Sequence, residues 1–247
     1  MTEGMRPPRG IDSRPMAMER SMALAEHSAL VDLRAAATFA DAAYELLRAD
    51  ILGGYYAAGA KLAIHQLRER YSIGASPLRE ALNRLVADGF VALIGQRGFR
   101  VAPISVDDLR DATRLRIIFE TAALRDSIEA GDDAWEAGIV AAFHQLSKID
   151  YARGANFVKW EERNAAFHDA LVAACPSPRL LQFRQNLFDQ HKRYRSLSSG
   201  SVPPSRDIPQ EHQEIMQKAL ARDAASACAA ITQHIQATAL SLESMIR

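Results

Sequence analysis

Cysteine is nearly missing from this chain of 247 residues. Cys175 and Cys228 are the only two, too few for a disulfide framework, so free buried thiols in a reducing, cytoplasmic setting are expected. No apolar run reaches the length of a membrane span, and the N-terminal stretch lacks a signal peptide's apolar core, so no membrane partner is expected. Net charge is absent as well, with 30 Lys/Arg against 30 Asp/Glu, which removes any global field drawing the protein to a polyanion. A Gly-rich phosphate loop, a G-x-S-x-G elbow and a Cys-His arrangement are all lacking, and with them the common signatures of nucleotide-dependent and acyl-transfer enzymes. Beyond residue 101 no segment reads as a strand. What remains is an ordinary globular composition, 48% apolar and 24% charged, with enough length for two domains.

The informative stretch is residues 62–84, L-A-I-H-Q-L-R-E-R-Y-S-I-G-A-S-P-L-R-E-A-L-N-R. Leu62, Leu67 and Tyr71 share one face of a helix that is expected to stop at Gly74. Ser76 then reads as an N-cap, with Pro77 at the first helical position, where a missing N–H costs nothing. Leu78, Leu82 and Leu85 form an inner stripe, leaving Arg79, Asn83 and Arg84 outward. Such a helix suits the major groove of DNA. Val91–Ile94 and Phe99–Val101 read as two strands around the turn Gly95-Gln96-Arg97-Gly98. Helix-turn-helix plus a two-stranded wing is the winged-helix layout, and Arg97 and Gly98 at the wing tip are placed to approach phosphate or a minor groove. Residues 44–100 carry eight Lys/Arg against five Asp/Glu, so the local charge agrees in sign.

The flanks complete a mostly α chain. Residues 1–27, with five methionines and three prolines before position 23, read as a flexible tail in which Met16, Met18 or Met22 is an alternative start. Residues 28–52 read as helical, and 28–103 as the winged helix-turn-helix domain. Residues 104–247 read as an all-α antiparallel bundle with helices at 106–130, 133–152, 156–174, 177–197, 208–221 and 223–246, parted by Gly131-Asp132, Gly154, Pro176 and the loop at 198–205.

Within the bundle, Asn164 and His168 stand four apart on one helix and face the same way, while His212 and His234 lie on two others. Three imidazoles and an oxygen donor suit a divalent ion such as Zn²⁺ or Ni²⁺; separately, each histidine reads equally as a satisfied polar core residue. Arg116 lies one turn before Glu120, either as a surface ion pair or as a guanidinium for a carboxylate ligand. Tyr194 and Arg195 either serve that ligand's far end or form a solvated basic helix terminus. His144 and His191 read as ordinary surface or partly buried residues, and Trp135 and Trp160 as packing anchors.

The text Y-S-I-G-A-S-P-L-R-E-A-L-N-R-L-V-A-D-G-F-V with its R-G-F-R-V wing resembles the GntR family of bacterial repressors. L-R-I-I-F-E-T-A-A-L, N-A-A-F-H, E-H-Q-E-I and Q-H-I resemble the effector (FCD) domain of its FadR subfamily, so the likeness covers roughly residues 41–245. G-D-D-A-W-E-A, F-H-Q-L-S-K and L-F-D-Q-H-K-R-Y-R look closest to a carbon-starvation-induced branch that controls glutarate and 4-aminobutyrate catabolism. The resemblance implies a homodimer on a short palindromic operator, released by a small carboxylate, for example a dicarboxylate such as glutarate. It implies DNA contacts at His65, Ser76, Arg79, Arg97 and Gly98, and a metal held by an aspartate and three histidines. Three positions depart from the pattern. His65 stands where many members have arginine, Ala75 where an arginine often reads a base, and Asn164, a weaker neutral ligand, where the aspartate belongs. Other readings are a metal-dependent hydrolase, with the winged domain mediating protein contacts, and a metal sensor. Against the hydrolase, no general base is recognisable: Asp169 and Glu211 are expected to point away from the histidines.

Overall fold

The computed structural model describes residues 38–149, 155–197 and 206–246. The expected tail, the first part of the helix begun at 28, residues 150–152 and the 198–205 loop lie outside them. The chain enters on helix α1 (Phe39–Leu52), whose first turn is capped by the Thr38 hydroxyl accepting from the Asp41 N–H. Strand β1 (Lys61–Leu62) and helix α2 (Ile64–Tyr71) follow, then the helix α3 (Ala75–Ala87), and then β2 (Val91–Leu93) and β3 (Phe99–Val101).

Three expectations need correction here. Leu62 belongs to a strand, paired antiparallel with Phe99, so the sheet has three strands in the order β1-β3-β2. Two residues are too few to display the period-two alternation that marks a strand in sequence. Helix α2 ends at Tyr71, and Ser72, not the expected Gly74, takes the left-handed conformation of the helix end (φ 56°). Gly74 instead precedes α3 as its N-cap, with extended backbone and no side-chain capping bond. Ser76 and Pro77 are therefore the second and third helical residues. Proline remains harmless there, because the first turn's N–H groups have no intrahelical acceptor. Gly95 and Gly98, both with positive φ, turn the wing tip.

Leu47, Ile51, Leu67, Leu78, Leu82, Leu85, Phe90 and Val101 close a compact aliphatic core under this sheet. Its one buried carboxylate, Asp50, accepts from Arg70 Nε at 2.9 Å and from the Tyr71 hydroxyl at 2.5 Å.

Among the described residues the rest is six helices: α4 (Val106–Ala130), α5 (Asp133–Ser147), α6 (Ala155–Leu171), α7 (Pro178–Leu197), α8 (Ile208–Leu220) and α9 (Ala224–Ile246). Ser105, Asp132 and Asp207 cap α4, α5 and α8, each through its side-chain oxygen. Trp135 and Trp160 are buried in the bundle's core beside Ile139, Phe167, Leu171 and Ile231. Helix α4 packs on both α7 and α9, and α7 also reaches α1 of the winged part.

Candidate functional site: a DNA-reading surface and a buried polar centre

On α3, Leu78, Ala81, Leu82 and Leu85 are fully buried, and the other face carries Ser76, Arg79 and Asn83 in solvent. His65 on α2 and Arg97 on the wing are exposed too, and Pro77 and Gly98 are partly so. The reading helix thus turns its leucines inward and its hydrogen-bonding side chains outward, as groove recognition requires. Arg84 is committed elsewhere, donating to Asp41 at 2.7 Å while its guanidinium covers Tyr44.

The second site lies inside the bundle. Helix α6 sends in Asn164 and His168, α8 His212 and α9 His234, all buried. One nitrogen from each histidine lies within 4.8 Å of the other two, so three donors converge from three helices. His212 Nε2, His168 Nε2 and Asn164 Oδ1 are buried with no hydrogen-bond partner. Unsatisfied buried polar atoms are costly, and coordination of a divalent ion would satisfy these. The donor set suits Zn²⁺ or Ni²⁺, with Asn164 a neutral oxygen in place of a carboxylate. Burial pushes His168 down to about 3, and also lowers His212 and His234, so the cluster holds neutral imidazoles with lone pairs to give.

Beside the histidines is a layer of charge. The guanidiniums of Arg116, Arg184 and Arg195 all pack on Phe188, 4.7, 5.0 and 5.1 Å from its centroid. Arg184 takes both oxygens of Glu120 at 2.9 and 3.0 Å and also pairs with Asp169; Arg195 takes both oxygens of Glu161 at 2.7 and 3.0 Å. Arg116 is left with Glu120 at 3.9 Å, and its Nε has no hydrogen bond. Three buried cations thus face two buried carboxylates. Burial drags Arg116 down to about 9, the mark of an undercompensated charge. An anion is what this layer can accept.

The expected residues are therefore divided. Arg116 and Glu120 are 2% and 0% exposed, which removes the surface-pair reading. Arg195 faces the charged layer rather than solvent. Tyr194 turns away: its hydroxyl donates to Asp108 and its ring packs with Leu109 and Leu242. Neighbours on a helix diverge by about 100°, so Tyr194 and Arg195 cannot serve one ligand. His144 is exposed, whereas His191 is fully buried. The Thr113 hydroxyl donates to the Leu109 carbonyl, so His191 Nε2 donates to Thr113 at 3.0 Å and its Nδ1 remains an acceptor. Arg184, Phe188, His191 and Arg195 form one stripe along α7 at spacings of four, three and four, a signal legible in sequence but not read there. Glu211 does not point away from the histidines: its Oε2 accepts from His234 Nδ1 at 2.7 Å, and Arg206 holds both its oxygens. Bound in this way it orients a ring, and the hydrolase reading loses its last base.

Comparison with known proteins identifies both parts of the chain. Residues 39–101 match the bacterial regulatory proteins of the gntR family, and residues 111–237 match the FCD domain. The chain is 38% identical over 231 residues to the uncharacterized HTH-type transcriptional regulator BphR of Paraburkholderia xenovorans, covering 92% of this chain and 93% of that one. It is also 38% identical over 198 residues to the HTH-type transcriptional repressor GlaR of Escherichia coli, covering 78% and 90%. Its fold is similar to that of E. coli McbR/YncC, with a TM-score of 0.73 at 17% identity over 85% of this chain and 99% of that one. Nothing among these relatives is an enzyme by name. A winged reading head joined to an FCD bundle, with relatives of this closeness along nearly its whole length, makes the chain a member of the GntR family of DNA-binding transcriptional regulators, of the FadR type.

Proposed function

We propose that this regulator is a cytoplasmic repressor that binds operator duplex as a homodimer and leaves it when a small carboxylate occupies the bundle. The division of labour falls at the 103–104 linker. His65, Ser76, Pro77, Arg79, Asn83, Arg97 and Gly98 line the DNA side, and Arg116 and Arg195 the ligand side, now with Arg184 and His191 in place of Tyr194. Asn164, His168, His212 and His234 would hold Zn²⁺ or Ni²⁺, which when bound supplies a Lewis-acidic anchor for a carboxylate oxygen. The name of GlaR as a repressor supports the sign of regulation. Exposed Ile118 and Phe183, on the neighbouring helices α4 and α7, support pairing with a second copy.

The observation that carries the ligand reading is Arg116, a buried guanidinium whose Nε makes no hydrogen bond and lies 3.9 Å from Glu120, beside neutral histidines. Guanidinium and carboxylate match in shape and charge, and an incoming carboxylate would supply the anion that the layer lacks. A dicarboxylate such as glutarate would use Arg195 or Arg184 for its second end.

Occupancy must also reach the DNA. Helix α7 carries the Arg184–Arg195 stripe on one face. From another, Gln190 Nε2 and Asn186 Nδ2 donate to the Asp88 carbonyl at 2.7 and 3.2 Å, and Asp189 pairs with Arg48 of α1. Asp88 is the C-terminal cap of the reading helix. A ligand that moves Arg184 or Arg195 off its glutamate would move the helix that grips α3, and release requires tighter binding to the moved arrangement.

The test is an electrophoretic shift on promoter DNA with succinate, glutarate and adipate added to metal-loaded protein, alongside thermal melting. Expected is release and stabilisation by one of them in wild type and by none in Arg116→Met. Release of Arg116→Met at wild-type concentrations would sink the ligand reading.

A further inference from the structure

Two carboxylates lie behind the histidine cluster, and they are held differently. Glu120 Oε1 comes within 3.4 Å of His168 Nδ1, but Arg184 already takes both of its oxygens. Glu211 sits on α8 directly before His212 and reaches across to α9, where it accepts from His234 Nδ1 at 2.7 Å. That bond places the imidazole proton on Nδ1 and leaves the Nε2 lone pair for the cluster. Consecutive residues of one helical turn thus do two jobs: His212 enters the cluster and Glu211 fixes a ring that enters from the next helix.

Glu211 is itself fixed. Arg206 Nε and Nη2 donate to its two oxygens at 2.8 and 2.7 Å, and Nη2 also reaches the His234 carbonyl at 3.0 Å and Thr238 Oγ1 at 2.9 Å. The Arg206 side chain is only 9% exposed, so one guanidinium ties the start of α8 to a turn of α9.

The donor set gives this arrangement its importance. Three imidazoles and one amide oxygen carry no negative charge, so a divalent ion among them is poorly compensated. A carboxylate bonded to the far nitrogen of a ligating histidine raises that ring's basicity and locks its direction. Building on the metal reading above, we propose that Glu211 is a positioning residue for a divalent-metal site at Asn164, His168, His212 and His234, with Arg206 holding Glu211 in register.

The test uses the full chain, purified without a histidine tag and stripped of metal, titrated with Ni²⁺ and Zn²⁺ against a competing chelator and with Co²⁺ for its visible spectrum. Glu211→Gln keeps the size and loses the charge. Expected is a fall in affinity of about ten- to hundredfold with altered Co²⁺ bands and little change in metal-free melting. Arg206→Gln, which frees the carboxylate without removing it, should lose less, and Glu211→Asp should recover part of the loss. A purely structural staple gives the opposite pattern: metal-free melting falls in Glu211→Gln and Arg206→Gln while both bind Ni²⁺ and Zn²⁺ like wild type, and that result overturns the proposal. If Glu211→Gln does not fold, Arg206→Gln and Glu211→Asp decide by the same readouts. Wild type that takes up neither ion at micromolar concentration overturns the metal reading itself, a result separable from any effect of the variants.

Discussion

The winged part and the bundle solve burial in contrasting ways. Under the sheet, the core is leucine, isoleucine, valine and phenylalanine with one carboxylate, Asp50, satisfied by Arg70 and Tyr71. Among the described residues the bundle has an aliphatic core of its own but encloses four guanidiniums, two glutamates, an aspartate, an asparagine and four histidines, several with polar atoms that make no hydrogen bond. The first arrangement is what stability alone selects; the second is costlier than apolar packing of the same volume. The reading head needs only to be rigid and to present an outer face. The bundle keeps polar groups inside, and its unsatisfied atoms lie where the proposed ligand and metal would bind.

The contrast can be broken at its strongest point first. Glu120→Ala leaves Arg184 and Arg116 without their shared carboxylate and should cost about 3–5 kcal/mol, read as a large loss in denaturant midpoint. Leu82→Ala, a plain cavity in the head, should cost about 2–5 kcal/mol and weaken DNA binding through lost structure rather than lost contacts. Arg79→Ala touches only the outer face. It should leave melting within about 0.5 kcal/mol and weaken operator binding by roughly 1–3 kcal/mol, or about ten- to hundredfold by electrophoretic shift. Arg116→Met sharpens the comparison: removing the surplus cation should leave melting unchanged or raise it, while the response to dicarboxylates disappears. A clear loss of stability there would mean that the charged layer is balanced after all. The smallest effect is expected from Gln190→Ala, about 0.5–1.5 kcal/mol in melting for one hydrogen bond, with effector-driven release blunted more than basal DNA affinity.

Much of this was legible in the residues. Most bundle helices start and stop within a few residues of their sequence boundaries, because Ser105, Asp132 and Asp207 are cap residues and Gly131 and Pro176 are breaks; the exception is α5, which ends at Ser147 rather than at 152, where no glycine or proline marks the stop. The stripe Leu78, Leu82, Leu85 gave the reading helix and its outward face. Its start was displaced because serine before proline imitates a cap, while the glycine that takes the position contributes no side chain to recognise. The histidines were found by type. Their partners were not, because Glu211–His234 and Arg184–Glu120 are contacts between helices far apart in sequence, and a buried arginine looks like a surface arginine until the neighbouring helix is in place. Tyr194 was misassigned for the same reason. Being beside Arg195 in sequence says little about where a helix sends either side chain.

The bond from Gln190 and Asn186 ends on the main-chain carbonyl of Asp88, not on any side chain of α3 that faces DNA. A peptide oxygen is the same whatever alphabet the recognition surface spells. If Ser76, Arg79 and Asn83 read DNA as proposed, they can drift toward new promoters without disturbing the hand that holds the helix, and the proposed sensing module would keep its wiring while its address changes.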